Sequence, residues 1–112
     1  MENIGNPLYE SRPTKKSIGN KYSIFLDRIE LRCKFPFITK TLVIKKDDLI
    51  SIDIYKPPAF RTTFRALKLD LADLNEHVGI KRKKGFFKQL RFTPENPKEF
   101  VLKAKEILEL NC

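Results

Sequence analysis

The feature that most constrains the fold is a change of hydrophobic period near the end of the chain. From Lys21 to Phe92, hydrophobic residues recur mostly at every second position, in runs separated by polar breaks, and after residue 95 they recur with helical spacing. Alternate side chains of a strand point to opposite faces, whereas helix positions three and four apart share a face. The pattern therefore predicts a mainly β domain closed by one C-terminal helix.

The strand pattern predicts a sheet that curves on itself. Seven runs are predicted as strands, and in chain order they centre on YSIFL, IELRCKF, TLVI, ISIDIY, FRALKLDL, HVGIKRK and GFFKQLRF. Seven antiparallel strands in sequence expose two long edges unless the sheet bends or closes. We therefore expect a seven-stranded antiparallel, partly open barrel.

The helix has its own start signal. Asn96 is a candidate N-cap, Pro97 takes the first helical position, and Glu99 follows the cap by three residues, which is a capping-box arrangement. The predicted inward face consists of Phe100, Val101, Ala104, Ile107 and Leu108. A single helix with one apolar face is suited to cap an open barrel end.

Residues 1–20 are predicted to be an extended or partly mobile arm, because they hold two Gly and two Pro and show no sustained period. Residues 21–112 form the predicted domain. The order of its elements resembles the pleckstrin-homology superfold. The segments TLVIKKDDLISIDI and LRFTPENPKEFVLKAKEIL resemble the corresponding segments of bacterial pleckstrin-homology-like domains.

That resemblance covers roughly residues 21–110 and implies a partly open barrel, its C-terminal helix over one end, with a binding or scaffolding role and no catalysis. It does not identify the ligand, because such domains bind phosphoinositides, peptides, other proteins or copies of themselves. Eukaryotic members that bind inositol phosphates carry Lys and Arg along the first two strands and their loop. Here that loop is short and the basic density lies elsewhere, so phosphoinositide specificity is not carried over.

The positive charge is concentrated in one stretch. The chain has a formal net charge of +9, and six basic residues with no acidic residue among them lie between positions 81 and 91. A strongly basic balance favours a nucleic-acid or anionic-membrane partner. The predicted anion- or partner-binding residues are Lys81, Arg82, Lys83, Lys84, Lys88 and Arg91.

The parity of this stretch predicts a hairpin turning at Lys84–Gly85. One face should then carry Phe86, Leu90 and Phe92, and the opposite face Phe87, Gln89 and Arg91. The charges gather on the outer face and the turn. A basic hairpin that is only solvated and has no ligand is the alternative interpretation.

The leading hypothesis for function is a non-catalytic binding module that engages an anionic membrane surface or an acidic protein segment through this hairpin. Basic residues close to an anionic surface contribute about 1 kcal/mol each. The alternative is a homo-oligomeric scaffold or protein-interaction domain that pairs through barrel edge strands. Nucleic-acid binding ranks third, because the lone helix carries both signs of charge.

Aromatic residues outside the alternation have two interpretations. Closure of the barrel end opposite the helix is the prediction, and an exposed rim for a partner is the alternative. The residues concerned are Phe35, Phe37, Tyr55, Phe60 and Phe64.

Nothing in the sequence indicates an active site, a metal or a cofactor. The single histidine, His77, lies near Asp70, Asp73 and Glu76, which could form an oxygen-rich cation site, but a solvated turn is the expectation. Gly-rich phosphate loops and nucleophile elbows are absent from the sequence. We therefore expect no enzymatic activity.

No apolar run reaches the roughly 18 residues that a membrane-spanning helix needs. The N-terminal residues lack the apolar middle of a secretory signal. The expected location is the cytoplasm, either free or peripheral to the membrane. Cys33 and Cys112 are expected to be free thiols there.

Overall fold

The computed structural model describes residues 6–34, 37–56, 66–70, 76–85 and 88–108. Within these ranges the chain forms mainly β structure followed by one helix, as predicted. All seven strands predicted after position 20 are present, and one further strand precedes them. The elements are β1 (Tyr9–Ser11), β2 (Lys21–Ile24), β3 (Arg28–Lys34), β4 (Thr39–Lys45), a 3-10 turn (Lys46–Asp48), β5 (Leu49–Tyr55), β6 (Ala66–Lys68), β7 (His77–Arg82), β8 (Gln89–Phe92) and α1 (Pro97–Ile107).

The strands pair into two four-stranded sheets. The first sheet has the order β1-β2-β3-β4, in which each strand is antiparallel to the next along the chain. The second has the order β5-β7-β8-β6, and its one parallel pair is β6 with β8. No pairing among the described strands joins the two sheets, so no closed barrel is found in this part of the chain.

The arm contributes a strand that the sequence pattern did not reveal. Tyr9 pairs with Ile24 and Ser11 with Tyr22, which adds β1 to the edge of the first sheet. The Tyr9 ring meets Phe100 of the helix edge-on at 5.9 Å between centroids. The strand has only three residues, with Pro7 before it and Pro13 after it, and so short a strand shows no alternation in the sequence.

The core lies between the two sheets and the helix. The alternating positions Ile29, Leu31 and Cys33 of β3 are fully buried, as their pattern predicts. Two aromatic contacts bridge the layers: Tyr22 and Phe92 have ring centroids 4.7 Å apart, and Phe92 and Phe100 are 5.3 Å apart. Aromatic pairs in such geometry stabilise a core beyond the area they bury. Sheet, sheet and helix therefore share one hydrophobic core.

The helix begins where the capping signal predicts. The Asn96 side chain accepts a hydrogen bond from the Glu99 backbone N–H at 3.1 Å. Phe100, Ala104 and Leu108 are fully buried, and Val101 is nearly so. In the described residues, α1 is too short and too polar to cross a bilayer, and no other α-helix is found.

Candidate anion-binding site

The basic stretch forms the predicted hairpin. Val78 pairs with Phe92 and Ile80 with Leu90, and all four side chains are fully buried. Gly85 has φ +98°, a left-handed conformation that glycine adopts without strain. The inward face of the hairpin is therefore as predicted, while Phe86 and Phe87 lie outside the described residues.

Asp48 holds the turn of this hairpin in place. Its carboxylate oxygen Oδ1 accepts hydrogen bonds from the backbone N–H groups of Lys83 at 3.0 Å and Lys84 at 2.8 Å. Its main-chain carbonyl also accepts the Lys83 N–H at 2.9 Å. Successive backbone amides that converge in this way form an anion-binding concavity. Here a carboxylate of the same chain occupies it, so the turn is anchored to the 3-10 turn.

Five of the six predicted site residues surround this turn, and we call them the basic tip: Lys81, Arg82, Lys83, Lys84 and Lys88. The four lysines are exposed and Arg82 is half-buried. The Arg82 guanidinium lies under the turn, because a Cβ added at Gly85 would come within 2.6 Å of its Nη2. The Lys88 ammonium donates to the Lys83 carbonyl at 2.9 Å, across the turn.

Arg91, the sixth predicted residue, lies elsewhere. It is only 4% exposed, and its guanidinium carbon lies 3.8 Å from the centroid of the Tyr55 ring. Its Nη1 is 3.2 Å from His77 Nε2, and its Nη2 donates to the Gln89 amide oxygen at 3.1 Å. Desolvation lowers the pKa of Arg91. The parity prediction was right about its face, but Tyr55 covers it, so Arg91 does not form part of an accessible anion site.

Gly79 makes this covering possible. A Cβ at that position would lie 2.7 Å from Tyr55 Cδ1 and 3.2 Å from Arg91 Cδ. His77 is 2% exposed and its ring stacks on Tyr55 with 6.1 Å between centroids, so the predicted solvated turn at His77 is wrong. Tyr55 is thus half-buried and structural.

The exposed-rim alternative for the off-pattern aromatic residues fits Phe37, which is fully exposed. Barrel closure was the prediction for it. Tyr55 covers Arg91, so it supports neither interpretation. The remaining members of that set, Phe35, Phe60 and Phe64, lie outside the described residues.

A groove of about 500 Å³ lies between the basic tip and the end of β4. Val43 provides an apolar wall that is 44% exposed, and Lys45 adds a cation that the sequence analysis did not assign to the site. A second cleft of about 360 Å³ is lined by Lys81, Lys88 and the exposed Ile50, among others. The residues that line the larger groove are Val43, Lys45, Asp47, Asp48, Arg82, Lys83, Lys84 and Gly85.

Asp70, a candidate cation ligand in the sequence, is committed to internal hydrogen bonds. Its carboxylate accepts the Tyr22 hydroxyl at 2.6 Å, the Thr93 N–H at 2.6 Å and the Thr93 hydroxyl at 3.0 Å. Desolvation raises the pKa of Asp70, and these hydrogen bonds oppose that rise. The described ranges contain no group of three or more His, Cys, Asp or Glu residues placed to hold a metal ion, and Asp73 lies outside them.

Cys33 is fully buried and unpaired with any other described cysteine, and desolvation raises the pKa of its thiol to about 11. A thiol that remains protonated is a poor nucleophile, so the core position is structural. Cys112 lies outside the described residues.

Comparison with protein-family models, with curated proteins and with solved structures finds no match to this chain. An assignment of function therefore depends on the geometry of the basic tip and its groove.

Proposed function

We propose that the chain is a non-catalytic binding module that recognises an acidic segment of a partner protein through the basic tip. The observation that carries this proposal is the anchoring of the tip by Asp48, whose carboxylate binds two consecutive backbone amides. A loop needed only for solubility has no requirement for a fixed geometry. Cations that are held in place before binding lose less conformational freedom when a partner arrives.

The shape of the surface favours a protein segment over a flat lipid surface. The basic residues line a concave groove that also offers the apolar Val43 side chain. A segment that alternates acidic and apolar residues satisfies both features. An anionic lipid head group shares the charge chemistry but does not need the groove, so the two partners are separable by experiment.

The proposal includes the fold relationship and the location expected from the sequence. We propose that the two sheets and α1 form a pleckstrin-homology-like, partly open barrel. The shared core of Tyr22, Phe92 and Phe100 supports this arrangement.

A cytoplasmic location is supported by the buried free thiol of Cys33, because disulfides are uncommon in that compartment.

Charge reversal at the tip tests the proposed function. The test variant carries Lys81→Glu, Lys83→Glu and Lys84→Glu, and the matched control carries Lys15→Glu, Lys16→Glu and Lys98→Glu, which lie before β2 and on α1. All six positions are exposed, so both variants should fold and both change the net charge equally. The probe is a fluorescent peptide of alternating glutamate and valine, followed by anisotropy.

Wild type and control should bind this peptide, and the tip variant should lose at least about tenfold in affinity because the attraction is local. Wild-type binding should weaken between about 50 and 200 mM salt as screening shortens the range of the charges. Equal binding by the tip variant and wild type contradicts the proposal. Binding of phosphatidylserine vesicles but not of the peptide would identify a lipid surface as the partner.

Homo-oligomeric pairing is a second candidate, favoured by two exposed apolar side chains: Val43 of β4, at 44% exposure, and Ile38 just before β4, at 63%. A net charge of +9 on each copy opposes it. Light scattering of the purified chain at low and high salt decides this point, since screening should promote a dimer if one forms. Single-stranded DNA, used in the same salt series as the peptide, tests the third candidate.

A further inference from the structure

Strand β4 pairs with β3 along one edge, and its other edge, which we call the free edge, has no partner among the described strands. In an antiparallel pair, the N–H and C=O of a residue point to the same side, and successive residues alternate. The Lys46 N–H donates to the Asp27 carbonyl at 2.9 Å, and the β3–β4 register places these two residues opposite each other. They therefore form a hydrogen-bonded pair, which fixes the direction of every backbone group along β4.

Because Lys46 faces β3 and successive residues alternate, the backbone N–H and C=O groups of Ile44 and Leu42 also face β3. Those of Val43 and Thr41 point away from it. In the described part of the chain, no strand pairs with this outward side. Thr39, Thr41 and Val43 are exposed, so the outward edge is accessible.

The free edge leads into the groove of the basic tip. Val43 and Lys45, at the end of β4, form one wall, and Lys83 and Lys84 lie across from them. β4 carries Lys40 and Lys45 and no acidic residue. An extended chain that follows this edge would thus meet lysines along its length and the basic tip at its end.

We infer that an acidic segment binds by adding to the first sheet as a fifth strand along β4. This inference rests on the proposed function and adds the binding mode. Main-chain hydrogen bonds of an added strand supply affinity, and alternate side chains supply specificity. Edge lysines discourage pairing with like-charged chains. The same lysines attract an acidic one, and this favours such a segment over a second copy of a +9 chain.

A proline substitution on the free edge tests the binding mode. Val43→Pro removes an N–H that points away from β3, and proline is tolerated in edge strands when its missing N–H faces outward. Val43→Ala is the control, because it shortens the same side chain but keeps the N–H. The proline variant should lose at least about tenfold in affinity for the glutamate–valine peptide, and the alanine variant less than about threefold.

The peptide itself provides a second test that does not depend on the folding of a variant. Two versions carry backbone N-methyl groups on alternate residues, one version on each alternating set. Strand addition requires that only one version loses binding to the wild-type protein, because only one set of N–H groups faces β4.

The outcomes separate the two proposals. If both methylated peptides and Val43→Pro bind as well as their unmodified counterparts, while charge reversal at the tip abolishes binding, the added strand is wrong and the proposed function stands. If charge reversal also leaves binding unchanged, both are wrong. Loss with one methylated peptide and with Val43→Pro confirms strand addition.

Discussion

At the scale of single residues, charge alone does not decide the role of a basic side chain. Lys84 and Arg91 belong to the same basic stretch, yet one is exposed at the tip and the other is buried under Tyr55. The alternation correctly placed Phe92 inside and Arg91 on the opposite face. It could not predict that Arg91 is covered, because the covering ring belongs to β5 and lies flat only because Gly79 has no side chain.

The buried carboxylate of Asp70 makes stability depend on pH. Desolvation raises its folded-state pKa above the value of about 3.9 in an unfolded chain. The folded state therefore binds the proton more tightly, and the contribution of Asp70 to stability is present below about pH 4 and lost as the pH rises through the folded pKa. An asparagine at this position cannot ionise. The stability of Asp70→Asn relative to wild type should therefore increase as the pH rises through the folded-state pKa of Asp70.

Urea unfolding of both proteins from pH 3 to pH 8 measures this difference. Tyr22→Phe removes a hydrogen-bond donor that favours the ionised Asp70 carboxylate. This variant should therefore lose more unfolding free energy than wild type as the pH rises. If the unfolding free energies of wild type and Asp70→Asn run parallel from pH 3 to pH 8, burial does not shift the pKa of Asp70.

At the level of helices and strands, features set by neighbouring residues were predictable from the sequence. Features that depend on contacts between residues far apart in the chain were not. The Asn96 cap, the start of α1 and its buried face follow from residues within one turn of each other. The KKDD segment is one of the polar breaks that separate the predicted strands, but its anchoring of Lys83 and Lys84 depends on the pairing of β5 with β7. A short turn indicates that two consecutive strands pair, but spacing does not show which strands far apart in the chain become neighbours. The parallel partner of β6 was therefore not predictable either.

Substitution of Asp48 tests how much the anchor stabilises the hairpin turn. Asp48→Ala removes the acceptor of two backbone N–H groups, whereas Asp47→Ala removes the same charge at an exposed neighbour that makes no such bond. We expect Asp48→Ala to lose about 1 kcal/mol of unfolding free energy. Faster amide hydrogen exchange at Lys84 should accompany the loss, because the Lys83 N–H keeps the main-chain carbonyl of residue 48 as its acceptor. Asp47→Ala should stay close to wild type.

Binding of the glutamate–valine peptide should separate the two variants as well. Both remove a negative charge beside the groove and so favour an acidic peptide. Only Asp48→Ala removes the side-chain anchor of the tip, so its gain in affinity for the peptide should be smaller than that of Asp47→Ala. Equal gains would mean that the fixed geometry of the tip does not matter for binding.

At the scale of the whole molecule, the helix is part of the core that joins the sheets. Phe100→Ala or Leu108→Ala should lower the unfolding free energy by about 2–5 kcal/mol, because each removes a fully buried side chain. Leu102→Ala on the same helix is the control, since Leu102 is 65% exposed and should cost less than about 1 kcal/mol. Chemical denaturation measures all three variants. An unchanged midpoint in Phe100→Ala would rule out the helix as a core element.

The position of β6 has a consequence for the order in which the chain folds. In the first sheet each strand pairs with its neighbour along the chain, so its contacts close short loops. β6 follows β5 in sequence but lies at the far edge of the second sheet, against β8. Among the described strands, β8 is the one that pairs with β6. During synthesis the first sheet can therefore assemble early, while β6 waits for the synthesis of β8 before this pairing can form. Long-range pairing of this kind slows folding.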